Sequence, residues 1–187
     1  MQEVRAREIG TARLVLVPLQ VEHADEMAGV LSDPGLHTFI GGSPDDPREL
    51  RARYLRMTDG SPEPAVSWCN WVLRLRDEES LVGTVQATVG PASAPDSGAT
   101  DSGATDSGAL VAEVAWVVGT AWQGRGFAAE AARGLVDWLA EQEAVRRIIA
   151  HIHPDHRASA AVATAAGLTP TDEWHDGEVK WQLTLER

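Results

Sequence analysis

Small residues are concentrated where a predicted apolar strand ends and a predicted amphipathic helix begins. In the stretch "AWQGRGFAAEAARGLVDWL", residues 121–139, Gly124, Gly126 and Ala128 lie at the predicted helix start. Glycine in a helix costs about 1 kcal/mol against alanine, so the missing side chains are expected to serve a purpose. A helix N-terminus presents unpaired N–H groups and a partial positive charge, which suit a phosphate. The pattern therefore predicts a pyrophosphate-binding turn.

The spacing of these residues distinguishes the turn from two common phosphate motifs. The Rossmann pattern G-x-G-x-x-G and the P-loop pattern G-x-x-x-x-G-K-[ST] are both absent, and both belong early in a parallel sheet. The pattern present is Q-x-x-G-x-A, formed by Gln123, Gly126 and Ala128, and it follows the apolar segment "AEVAWVVG".

In this context the chain resembles the GCN5-related N-acetyltransferase (GNAT) superfamily, whose motif is [QR]-x-x-G-x-[GA] between a strand and a long helix. The resemblance covers nearly the whole chain. The segment "TARLVLVPLQVEHADEMAGVLSDP" is similar to the opening of the branch that acetylates ribosomal-protein N-termini. The segment "HPDHRASAAVATAAGL" is similar to that branch's second cofactor segment, N-x-x-S-x-x-V-x-x-x-x-G-F, with His156 for Asn, Ser159 matching and Leu168 for Phe.

The resemblance implies acetyl-CoA as cosubstrate, with no metal, and a V-shaped opening between the fourth and fifth predicted strands for the pantetheine arm. It also implies contacts from the strand backbone to this arm and from the helix start to the pyrophosphate. The cofactor-binding residues implied in this way are Val117, Val118, Gln123, Gly124, Arg125, Gly126, Phe127, Ala128, Ala129, His156 and Ser159. Alternatively, Arg125 is an exposed helix residue and Ser159 only caps its helix.

Acetyl transfer to an amine requires loss of a proton from the amine, stabilisation of an oxyanion and departure of the CoA thiolate. Glu113 is the predicted base, because "AEVAW" resembles the segment in which histone-type members carry a glutamate. Its alternative role is that of an outward residue on an alternating strand. Val117 or Val118 is the expected N–H donor to the oxyanion.

The acid for the leaving group is not evident from the sequence. Many family members have a tyrosine four residues after the matching serine, whereas this chain has Ala163 there. CoA leaves as a thiolate, whose pKa is close to the value of about 8.5 for free cysteine, or another group serves. His151 and His153 are the candidates, and His151 is alternatively a structural strand residue.

Aromatic residues near the first helices are predicted to line the pocket of the acceptor, a primary amine in a small molecule or at a protein N-terminus. Aromatic residues at such spacings are also common in protein cores. The candidates are His37, Phe39, Tyr54 and Trp71.

A rival reading comes from "HIHPDH", residues 151–156, which matches the H-x-H-x-D-H pattern of metallo-β-lactamase-type hydrolases. Imidazoles and a carboxylate after a strand can hold zinc with an open water position. That fold needs further ligands downstream, and only 31 residues follow, with the single histidine His175. A metallo-hydrolase is therefore the alternative function, and a non-catalytic CoA-binding module is a second one.

Hydrophobic patterning predicts an α/β (α+β) fold, with a mixed, mostly antiparallel twisted sheet of about seven strands flanked by about four helices, and the resemblance implies that this is the GNAT fold. Strands are expected at 11–20, 67–75, 80–89, 109–119 and 146–153, with a final hairpin at 171–185 turning at Asp176-Gly177. Helices are expected at 21–31, from Pro47 onward, at 124–143 and at 156–167.

The length of 187 residues favours a single domain, which the resemblance implies is an N-acetyltransferase domain. Residues 96–110 repeat the pentapeptide DSGAT or DSGAL, which predicts a flexible loop insertion over 91–109. The net charge of −12 disfavours nucleic acid and membrane surfaces as partners, and a homodimer is compatible with the sequence. One cysteine and no signal segment predict a cytoplasmic protein.

Overall fold

A computed structural model describes residues 3–92 and 108–186 of the protein. In the described residues, eight strands form one sheet in the order β1-β2-β3-β4-β5-β6-β8-β7. The strands are β1 (Ile9–Gly10), β2 (Leu14–Pro18), β3 (Ser67–Leu75), β4 (Leu81–Pro91), β5 (Leu110–Val118), β6 (Val145–Ile152), β7 (Thr169–His175) and β8 (Glu178–Thr184). The helices are α1 (Ala24–Val30), α2 (His37–Ile40), α3 (Pro47–Asp59), α4 (Phe127–Ala140) and α5 (Arg157–Ala165).

The sheet is mixed and mostly antiparallel, as the sequence predicts. Its strand count is one more than the expected seven because Ile9–Gly10, which precedes the predicted first strand at 11–20, forms the additional strand β1 and pairs with β2 across a turn at residues 11–13. Thr11 N–H donates to Leu14 O at 2.9 Å and closes this turn between β1 and β2. The short helix α2 is also additional, since its four residues are too few for a helical pattern to be visible in the sequence.

Helices cover the sheet on both faces. On one face, α4 packs its buried Ala131, Leu135 and Leu139 onto alternate strand residues such as Val85 and Ala112. On the other face, α1 and α3 cover a smaller area around Val72 and Leu81. The second face therefore stays partly open, and side chains that point to it from the uncovered strands are accessible.

The parallel strands β5 and β6, the fourth and fifth of the prediction, separate along their length. They pair from Leu110/Val145 to Glu113/Ile149, and the pairing then stops. β5 continues to Val118 and β6 to Ile152 without pairing to each other, while the other edge of β6 pairs with β8 from Arg147 to Ile152. A wedge-shaped opening results between the two strands, as predicted.

The DSGAT repeats lie almost wholly outside the described residues, which end at 92 and resume at 108. The chain on either side of this gap is held together, because Pro91 pairs with Leu110 across β4 and β5 and Ala92 N–H donates to Ala109 O at 3.3 Å. Within the described part of the chain, no helix has the length and apolar character needed to cross a membrane.

Candidate active site

The turn before α4 has the backbone that the glycine pattern predicts. Gly124 and Gly126 have φ angles of 75° and 81°, a left-handed conformation that disfavours side chains. Helix α4 begins at Phe127, and the amides of its first three residues have no helical carbonyl to bind. The turn and the helix start therefore present N–H groups in the way that a phosphate site requires.

Gln123 binds the protein's own backbone. Its Nε2 donates to Val118 O at 3.0 Å. Gly119 N–H donates to Val82 O on β4 at 2.8 Å, and the carbonyl of the same trans peptide, that of Val118, consequently points away from β4. The Gln123 side chain thus closes the β5–α4 connection at the opening.

Alternation along β5 decides which backbone groups face the opening. The N–H and C=O of one residue in an antiparallel strand point to the same side, so Val118 N–H faces the opening together with Val118 O. Val117 O is directed toward β4, where it would collide with a Cβ added at Gly83. Val118 is therefore the accessible donor of the two predicted valines, while Val117 is turned into the β4–β5 ladder.

The two predicted catalytic side chains contact each other at the mouth of this opening. Glu113 is the last residue of β5 that pairs with β6, and its partner there is Ile149. His151 lies two residues beyond Ile149 on β6. The distance from His151 Nδ1 to Glu113 Oε1 is 2.7 Å. Since an ionised carboxylate only accepts hydrogen bonds, Nδ1–H is assigned as the donor, and Nε2 of the neutral ring keeps its lone pair. The pair resembles a base held in one tautomer by a carboxylate.

A residue predicted to bind the acceptor meets residues predicted to bind the cofactor where α2 contacts the start of α5. The Phe39 ring stacks on the His156 ring with centroids 4.4 Å apart, and Ser159 Oγ lies 3.3 Å from His156 Nε2. Burial, together with the nearby His153, lowers the pKa of His156. The neutral ring is therefore favoured at this contact. His37 Nδ1 lies 3.1 Å from Gly41 O, at the end of its own helix.

Two of the four predicted acceptor residues are core residues. Trp71 is 0% exposed, packs edge-on against Trp138, and donates from Nε1 to Arg7 O at 2.7 Å. It points to the face covered by α4, and it does not line a pocket. Tyr54 is 3% exposed between α1 and α3, and burial raises the pKa of its hydroxyl to about 12.

A polar strip on the open face of the sheet was missed by the sequence reasoning. The pairing register places Trp68, Thr88 and Glu113 side by side across β3, β4 and β5, and it places Asn70 and Gln86 side by side in the neighbouring row. Trp68 is 40% exposed. The alternation of "SWCNWVLRL" carries this signal, because Trp68 and Asn70 share one face while Cys69 and Trp71 share the other.

The "HIHPDH" segment does not gather its side chains around one point. His151 contacts Glu113, His156 stacks on Phe39, and His153 Nδ1 accepts from Asp155 N–H at 3.1 Å. Across residues 3–92 and 108–186, no group of three or more His, Cys, Asp or Glu side chains is arranged to hold a metal ion.

Comparison with known proteins identifies one family. The family model described as an acetyltransferase (GNAT) domain matches residues 13–169. A search of curated proteins gives no significant match.

Solved structures are similar over almost the full length of the chain. The GNAT-family acetyltransferase from Bacillus anthracis has a TM-score of 0.71 at 17% identity, covering 97% of this chain and 100% of that one. An acetyltransferase from Salmonella typhimurium that modifies the N-terminal serine of ribosomal protein L7/L12 has a TM-score of 0.71 at 13% identity, over 96% and 100%. RimL, a ribosomal L7/L12 alpha-N-protein acetyltransferase in complex with coenzyme A, has a TM-score of 0.71 at 14% identity, over 96% and 98%. At these identities the likeness shows the fold.

Proposed function

The chain belongs to the GNAT acetyltransferase family and is an N-acetyltransferase with acetyl-CoA as its cosubstrate, and we propose that it acetylates the α-amine of a protein or peptide N-terminus by direct attack in a ternary complex. The observation that carries this proposal is the Glu113–His151 contact at the mouth of the β5–β6 opening. Acceptor, base and thioester can meet at this place.

The residues around the opening fit acetyl-CoA. The left-handed backbone at Gly124 and Gly126 keeps Cβ atoms away from the turn, and the first-turn amides of α4 suit a pyrophosphate. Val118 N–H faces the opening, where the pantetheine arm and the thioester would lie. The described residues therefore supply an anion site and a slot between strands.

The proton of the amine has a defined destination in this arrangement. His151 Nε2 accepts it in place of Glu113, the base predicted from the sequence, and Glu113 holds Nδ1–H, so the charge that develops on the imidazole lies 2.7 Å from a carboxylate oxygen. The amine nitrogen attacks the thioester carbonyl, a C–N bond forms, and the C–S bond breaks with release of the CoA thiolate. In this proposal Val118 N–H donates a hydrogen bond to the carbonyl oxygen.

The open polar strip supports a peptide as acceptor. It extends from Glu113 to Trp68 over two strand spacings, or about 10 Å, which accommodates several atoms beyond the reacting nitrogen. The amide side chains of Asn70 and Gln86 lie in the neighbouring row and can pair with peptide groups. Two structurally similar proteins are described as acetylating the N-terminus of L7/L12, which agrees with this class of acceptor.

A panel of amines tests the proposal. Peptides with N-terminal serine or alanine, their N-terminally blocked forms with a free lysine, spermidine and an aminoglycoside are each incubated with the protein and acetyl-CoA, and thiol release is recorded. Cys69 is 0% exposed and its thiol pKa is raised to about 12 by burial, so it should not react with the thiol reagent. We expect turnover with the free-N-terminus peptides. Turnover only with spermidine or the aminoglycoside would overturn the peptide assignment.

A further inference from the structure

A carboxylate lies in the first turn of the helix that is expected to bind phosphate. Glu130 is the fourth residue of α4, and a negative charge near a pyrophosphate should weaken binding. Its side chain is 11% exposed and faces the β1–β2 turn. Glu130 Oε1 accepts from Thr11 Oγ1 at 2.7 Å and from Arg13 N–H at 2.6 Å, and Oε2 accepts from Arg13 Nε at 2.7 Å.

The guanidinium that Glu130 holds is in contact with the phosphate-binding turn itself. Arg13 Nη1 donates to Arg125 O at 2.9 Å. Arg13 Nη2 lies 3.3 Å from the position that a Cβ on Gly126 would occupy, and Arg13 Cζ lies 4.4 Å from the Phe127 ring centroid. One side chain therefore contacts three successive residues at the start of α4.

This contact fixes the direction of one peptide group. The carbonyl of Arg125 points to Arg13, and in a trans peptide the N–H of the following residue, Gly126, points to the opposite side. That N–H adjoins the amides of the first helical turn. Arg13 thus binds the carbonyl side of the turn and leaves its N–H side free for an anion.

We propose that Arg13 and Glu130 are positioning residues that hold the turn at residues 125–127 in its anion-binding conformation. Glu130 orients the guanidinium, the guanidinium fixes the Arg125 carbonyl, and Gly126 N–H is presented to the pyrophosphate without a cost of ordering on binding. The inference rests on the proposed acetyl-CoA site. It assigns a role in cofactor binding to the β1–β2 turn, which lies outside the Q-x-x-G-x-A motif.

Two variants distinguish a positioning role of Arg13 and Glu130 from a purely electrostatic effect of their charges on cofactor binding. Glu130→Gln removes a negative charge near the site, so electrostatics alone predicts tighter acetyl-CoA binding, whereas positioning predicts weaker binding. Arg13→Lys keeps the positive charge but cannot bind Glu130 and Arg125 O together in the fork geometry of arginine, so positioning again predicts weaker binding. We expect about 10- to 100-fold weaker binding in each, the range that one or two charge-assisted hydrogen bonds represent.

The matched control lies at the other end of α4. Arg7 Nη2 and Glu141 Oε2 form an exposed ion pair at 2.8 Å, which also connects the N-terminal segment to this helix. Arg7→Gln should leave acetyl-CoA affinity within about twofold, because exposed pairs contribute little. Thermal melts without ligand establish that all variants are folded at the assay temperature.

The experiment is titration calorimetry of the full chain with acetyl-CoA and with S-acetylpantetheine, which has no pyrophosphate. Wild type should bind acetyl-CoA more tightly than S-acetylpantetheine, and this preference should decrease in Glu130→Gln and Arg13→Lys but not in Arg7→Gln. Acetyl-CoA binding by Glu130→Gln as tight as wild type or tighter would overturn the inference, even if S-acetylpantetheine binding is too weak to measure. Failure of wild type to bind acetyl-CoA would instead overturn the proposed function.

Discussion

Replacing Glu113 by glutamine is expected to slow acetyl transfer while acetyl-CoA binding stays intact. Glutamine keeps the size of the side chain, but its amide N–H can donate to His151 Nδ1 and shift the ring proton to Nε2, which removes the base. A positioned general base typically contributes 10²–10⁴-fold. Because 51% of the Glu113 side chain is exposed and water competes for the contact, we expect the lower end, about 100-fold in kcat/KM at pH 7.

The pH dependence of this defect follows from the acceptor. An α-amine has a pKa near 8, so roughly one tenth of it is free at pH 7 and most of it is free at pH 9. As the solvent takes over deprotonation, the ratio of wild-type to Glu113→Gln turnover should decrease from pH 7 to pH 9. A lysine-type amine, with a pKa near 10.4, is only about 4% free even at pH 9, so its ratio would remain above that of an α-amine over this range.

The assay measures thiol release against peptide concentration for wild type, Glu113→Gln and the surface control Glu143→Gln. The control lies in the exposed turn after α4 and should behave as wild type. If Glu113→Gln turns over like wild type at pH 7, the carboxylate is structural and the Glu113–His151 pair does not act as the base.

Three further outcomes follow from the same structure. Gly126→Glu should abolish the thermal shift that acetyl-CoA causes. In wild type this shift corresponds to about 2.7 kcal/mol of stabilisation at 100 times the dissociation constant. The control Gly177→Glu, at the same φ of 81° in the β7–β8 turn, should keep the shift. Burial alone would raise the pKa of Glu130, but hydrogen bonds from Thr11 and Arg13 outweigh this effect and lower it. A carboxyl whose pKa is lowered in the folded state stabilises the fold at pH values above its unfolded-state pKa of about 4.3. Melts over pH 3–7 should therefore show Glu130→Gln melting below wild type by the full amount at pH 7, and this difference should shrink as pH falls below 4. Deleting residues 96–105, which lie outside the described residues, should change the free energy of unfolding by less than about 1 kcal/mol and leave turnover unchanged. The reason is that the segments on either side of the repeats are already paired at Pro91 and Leu110. A large loss of stability or of turnover would show that the repeats have a role.

Local patterns in the sequence were sufficient for several features. The start of α4 could be predicted because Gly124 and Gly126 interrupt an otherwise apolar pattern, and the start of α3 because proline is favoured at the first position of a helix, where Pro47 lies. Glu113 and His151 could each be proposed individually. Their contact could not, because it depends on the parallel register Glu113/Ile149 between strands that are joined by a long helical crossover.

Other features depend on tertiary context that the sequence does not contain. Trp68 and Trp71 have opposite directions on β3, but helices cover both faces of the sheet, so alternation alone does not reveal which face stays open. Arg13 was read as part of a continuous strand. Its role depends on the turn at 11–13 and on Glu130, which is 117 residues away along the chain.

The most direct test of the central claim is a map of backbone amide shifts of the labelled protein during titration with acetyl-CoA, since it requires no knowledge of the acceptor. We expect the largest shifts at Val118 and at residues 124–129, together with a change at the His151 ring beside Glu113. Saturation by acetyl-CoA with these signals unmoved, or with shifts confined to another surface such as the β7–β8 hairpin, would contradict the central claim.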